Sequence, residues 1–110
     1  MPIFKSKPID KYINGTSQVV SEITVITDNE YTTNGELVIL AKDTPECTIT
    51  LDHNTTNYLT IKSLTNTLIK SEKNIDDEYT EIFLNRGACV ELRFIIDGWY
   101  IMSSDGLKNS

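Results

Sequence analysis

Few side chains in this 110-residue chain have the chemistry of a catalytic or metal-binding group. His53 is the single histidine, and it sits in the turn-like run Asp52-His-Asn-Thr-Thr-Asn57. A nucleophilic dyad would need the thiol of Cys47 or Cys89 beside it. Both cysteines instead fall inside strand-like runs that alternate with apolar residues. Asp76-Asp77-Glu78 offers hard oxygen ligands, but not in the Asp-x-Asp-x-Asp-Gly spacing that wraps a calcium ion. Asp43 and Asp52 are of the right type for a glycosidase carboxylate pair, and nothing beyond residue type supports that role. The five glycines are scattered at turns rather than gathered into a phosphate-cradling loop. Trp99 and Tyr100 could form an aromatic platform for a sugar ring; Trp99 equally suits a core position at the start of the last strand. These residues predict no catalytic site, no metal site and no cofactor, hence a protein that is not an enzyme.

The elements that would position these groups read as strands. Ile23, Val25 and Thr27 alternate with Thr24 and Ile26. Asn34-Gly35 lies between Glu30-Tyr-Thr-Thr and Glu36-Leu-Val-Ile-Leu-Ala, which predicts a two-residue hairpin. Leu37 to Leu40 is apolar on both faces, so that strand should be covered twice. Cys47, Ile49 and Leu51 alternate with threonines and Asp52, Leu59 and Ile61 with Thr60 and Lys62, and Leu68-Ile69 suggests another short strand. The stretch from Lys70 to Glu78 reads as a charged loop. Ile82 and Leu84 follow, then a turn at Arg86-Gly87. Ala88, Val90, Leu92, Phe94 and Ile96 next share one face, and Asp97-Gly98 reverses the chain into Trp99-Tyr-Ile-Met. No segment has a sustained helical period with caps, and no tandem repeat is visible. The fold class expected is all-β: a small antiparallel β-sandwich or barrel-like module.

Residues 1–20 differ from the rest. Pro2 and Pro8 exclude regular helix, and Ile3, Phe4, Ile9, Tyr12 and Ile13 are scattered apolar anchors. The segment reads either as a frayed end or as an extended N-terminal arm that docks on a partner. The domain reading is an arm over 1–20, a β-domain over 21–106 and a short C-terminal tail over 107–110.

A net charge of −6 and a pI near 4.6 argue against nucleic acid and anionic lipid as partners. No stretch reaches the roughly 20 apolar residues of a membrane span, and the opening residues lack a signal peptide's apolar run. The cysteines are read as reduced, and the sequons at Asn14 and Asn54 as chance matches.

From Thr48 onward the order of motifs resembles a known group. Thr48-Ile-Thr-Leu precedes a polar turn, Leu59-Thr-Ile-Lys-Ser and Asn74-Ile-Asp-Asp. Tyr79-Thr-Glu-Ile-Phe-Leu, a glycine turn, Val90-Glu-Leu and Asp97-Gly-Trp-Tyr-Ile-Met complete it. This resembles the β-modules of tailed-bacteriophage appendages: tail fibres, baseplate proteins and head fibres. Asp52 stands where those modules usually have proline, Asp77 replaces a turn glycine, and the final turn to Trp99 is shortened. The resemblance implies a virion structural part, made in the host cytoplasm and commonly a homotrimer, with no catalytic residues. The two-faced strands agree with self-association, because a lone small sheet covers few strands twice. The arm would then hold the module to another virion protein of the capsid, neck or baseplate.

Overall fold

A computed structural model describes residues 23–108. The arm residues Ile3, Phe4, Ile9, Tyr12 and Ile13 lie outside the described residues. Among the described residues the fold is all-β, in eight strands: β1 (Ile23–Ile26), β2 (Glu30–Thr32), β3 (Val38–Ala41), β4 (Glu46–Leu51), β5 (Tyr58–Ser63), β6 (Asn66–Ile75), β7 (Tyr79–Ile95) and β8 (Gly98–Lys108).

The strands form one continuous sheet in the order β1-β3-β5-β7-β8-β6-β4-β2. Odd strands β1, β3 and β5 stack in parallel as a front wall, and even strands β2, β4 and β6 stack in parallel as a back wall. The chain therefore winds as a solenoid, one front strand and one back strand per coil. The antiparallel sandwich or barrel expected from the sequence is corrected here. Alternating strands and turns encode burial and reversal, but not whether a strand pairs with its sequence neighbour or with the strand one coil away.

Three turns show the difference. Asn34-Gly35 does not close a hairpin, since β2 pairs with β4 and β3 with β1 and β5. The left-handed Gly35 (φ 93°) turns a corner of the coil instead. Arg86-Gly87 is a corner within β7 rather than a reversal. The final hairpin turns at Ile96-Asp97, one residue earlier than expected, because Gly98 already pairs with Ile95. The run from Lys70 to Ile75 is strand rather than loop. A tight turn at Asp76-Asp77, with positive φ at both residues, links β6 to β7. The coils are of unequal length, which hides the repeat: the step from Ile23 to Val38 is shorter than that from Val38 to Thr60.

Inward side chains stack in ladders between the walls. Ile39, Ile61 and Val90 are in register on the front, and Ile49, Ile69 and Ile82 on the back, all essentially buried. Each such aliphatic side chain taken from water stabilises the fold by roughly 1.5–3 kcal/mol. The long β7 closes the C-terminal end. It runs antiparallel along β6, bends at Gly87, and continues antiparallel along β5. β8 then lines β7's outer edge, so the last parallel coil does not expose its core.

Buried hydroxyls fasten the corners. At the corner leading from back to front, the Thr33 hydroxyl accepts the Asp52 N–H (2.8 Å) and the Thr56 hydroxyl accepts the Gly35 N–H (2.8 Å). At the opposite corner the Thr65 hydroxyl donates to the Thr44 and Pro45 carbonyls (2.6 and 2.9 Å). A stacked corner holds turn backbone away from water, and these bonds satisfy it.

Candidate functional site

The groups with catalytic potential are kept apart by the coil. Asp43 and Asp52 flank β4, and its six residues put them about 20 Å apart, too far for a glycosidase pair. Cys47 is the second residue of β4, whereas His53 lies beyond the strand's far end. Cys89 lies where β7 leaves the Gly87 bend, and His53 sits at the opposite corner. Cys47 is buried, and that burial, helped by the nearby Asp28 charge, pushes its thiol pKa up, away from the reactive thiolate. Cys89 is half-buried on the outer face, so it is not a core residue. His53 is half-buried and stacks on Phe94 with ring centroids 4.9 Å apart. Among the described residues no three His, Cys, Asp or Glu side chains gather as metal ligands. No described helix is long and apolar enough to cross a membrane.

Of the proposed sugar platform, Trp99 is removed by burial. Its ring is fully enclosed and packs edge-on against Phe94 at 5.4 Å. Its indole N–H is buried without an acceptor. Trp99 is thus a core residue at the C-terminal cap. Its neighbour Tyr100 is half-buried and points elsewhere, its hydroxyl donating to Asp77 at 3.0 Å. That bond raises the Tyr100 pKa.

Two surfaces stand out among the described residues. The first is the outer face of the front wall. Ile23 and Val25 project outward from β1 and are 60% and 55% exposed. In register beside them, Val38 and Leu40 project from β3 and are partly exposed. Four aliphatic side chains in a two-by-two block thus face outward, while Ile39 and Ala41 of the same β3 face the core. Further along this face the residues turn polar. Thr60 follows Val38, and Lys62 follows Leu40. Glu91 of β7 accepts hydrogen bonds from the Tyr58 and Ser103 hydroxyls, and these bonds lower its pKa. The Arg93 guanidinium lies 4.9 Å from the centre of the Tyr58 ring. An apolar block rimmed by polar groups is the arrangement of a protein-binding surface.

The second is a cleft of about 590 Å³ at the corner of the C-terminal cap. It lies between the end of β6 with its Asp76-Asp77 turn and the Ile96-Asp97 turn of the last hairpin. Asp76 ties its turn to β8. Its N–H donates to the Trp99 carbonyl (2.8 Å) and its carboxylate accepts the Ile101 N–H (3.0 Å). Lys73 and Asp97 form an ion pair across the cleft at 3.3 Å.

The sequence signals for the first surface were legible, because Val38 and Leu40 belong to a run apolar on both faces. The second was not, because it is built from two turns distant in sequence. A comparison of the chain with protein-family models and with curated proteins finds no match for it.

Proposed function

We propose that this chain is a non-enzymatic structural module of a tailed-bacteriophage virion, assembling with copies of itself, as a homotrimer, through the outer face of its front wall. The supporting observation is the outward aliphatic block of Ile23, Val25, Val38 and Leu40 on a strand pair whose inner face is already used by the core. Covering such a block on a partner removes apolar area from water at about 25 cal/mol per Å². The phage assignment rests on the resemblance of the motifs from Thr48 to Met102. In this reading the segment 1–20 anchors the assembled module to another virion protein, with Ile3, Phe4, Ile9, Tyr12 and Ile13 as its apolar contacts.

Sedimentation of the full chain tests the assembly. The expected species is three times the chain mass at micromolar concentration. Val25→Glu and Leu40→Lys, both outward-facing, should each give a folded monomer. A wild-type chain that sediments as a monomer overturns the assembly. A mass-spectrometric inventory of purified virions tests the location separately, and absence of the chain from particles overturns it.

A further inference from the structure

We infer that the cleft at the C-terminal cap is a binding site for an uncharged sugar ring, with Tyr100 as its aromatic contact. This goes beyond the assembly reading and does not depend on it, because the cleft and the aliphatic block are formed by different strands and turns.

The cleft's volume of about 590 Å³ falls within the range of small-ligand sites. Gly98 is among its lining residues. This glycine is not required by its backbone angle, since it is not among the left-handed residues. A Cβ there would lie 3.3 Å from the Asn74 carbonyl and 3.9 Å from the Tyr100 ring. The side chain's absence keeps the space beside the tyrosine ring open. Tyr100 is held in place by its bond to Asp77, so its ring is fixed before a ligand arrives. Residues that can hydrogen-bond sugar hydroxyls, Glu72, Asn74 and Asp77, line the same cleft.

The rim is apolar. Ile95 is 39% exposed, and Ile96 is 95% exposed. Ile96 also holds φ at 60°, a left-handed angle that a β-branched residue rarely adopts. An exposed apolar side chain held at strain beside a cleft contributes nothing to the core. It suits contact with the C–H face of a pyranose. Charge selects the ligand class: Glu72, Asp77 and Asp97 outnumber Lys73, which is already paired with Asp97. An acidic sugar or a phosphate would be repelled.

Saturation-transfer NMR on the full chain tests this with trisaccharides of glucose, galactose, mannose and N-acetylglucosamine, and with oligogalacturonate and chitosan trimers. At least one neutral trisaccharide should bind, and oligogalacturonate should not. Tyr100→Ala should weaken binding about tenfold or more, the loss of one aromatic contact with its hydroxyl. The conservative Tyr100→Phe should retain most of it. Thermal melts and Trp99 emission report whether each variant is folded, and Ile96→Asn serves as a second variant that keeps the fold while stripping the rim. Binding restricted to the acidic or the amine-bearing trimer, binding unchanged in both Tyr100→Ala and Ile96→Asn, or no binding by any neutral trimer overturns the inference.

Discussion

Tyr31 donates its phenol hydrogen to the carboxylate of Glu36 across the corner that carries the chain from β2 to β3. The other Glu36 oxygen accepts the Asn34 N–H at 2.6 Å, and Glu36 itself is buried. One carboxylate thus ties a back-wall side chain to the turn backbone, at the place where a hairpin would otherwise have formed. The bond to Glu36, then burial, then the Glu36 charge raise the Tyr31 pKa from 10.0 to about 12, with the Thr24 hydroxyl opposing.

Folding raises the pKa of Tyr31, so the protonated phenol is favoured in the native state. The stabilisation is complete below about pH 10 and is lost as the pH climbs through about 12. Urea melts at a series of alkaline pH values should show wild-type stability falling more steeply over that window than Tyr31→Phe. At neutral pH Tyr31→Phe should cost about 1.5–3 kcal/mol, the loss of a hydrogen bond to a charged group. Parallel pH profiles for the two proteins would contradict the coupling.

Gly35 and Gly87 are both left-handed, at φ 93° and 89°, but only Gly35 is crowded. A Cβ on Gly35 would meet the Thr55 carbonyl at 3.3 Å, whereas one on Gly87 would meet nothing within 4 Å. Gly87→Ala should therefore cost about 1 kcal/mol from backbone strain alone, and Gly35→Ala clearly more. Equal losses in denaturant melts would show that the stacked corner gives way freely.

Ile96 combines a left-handed backbone with almost complete exposure, so its side chain returns nothing for the strain. Ile96→Asn should raise stability by about 1 kcal/mol, because asparagine tolerates this angle. The check is the midpoint of urea unfolding. A lower midpoint would mean that Ile96 is held by contacts the exposed turn does not display.

The strand content, the inward ladders and the positions of most turns were legible in the sequence, because side-chain alternation is a local property of the chain. Ile39, Ile61 and Val90 announce an inner face wherever they pair. The run Val38 to Leu40 likewise announced apolar side chains on both faces of its strand. The sequence also carried the reason for little helix, in its β-branched residues and glycine turns.

What tertiary structure alone decided is the partner of each strand. Asn34-Gly35 has the chemistry of a hairpin, yet the hydroxyls of Thr33 and Thr56 anchor that turn to the next coil's corner instead. Those bonds join residues some twenty positions apart, and no local pattern records them. The same holds for the fate of Trp99 and Tyr100. They are adjacent in sequence, and the alternation of β8 sends one ring into the core and the other toward a cleft made by two distant turns. Alternation fixes which side of a strand is greasy. Only the path of the chain through space fixes what lies against it.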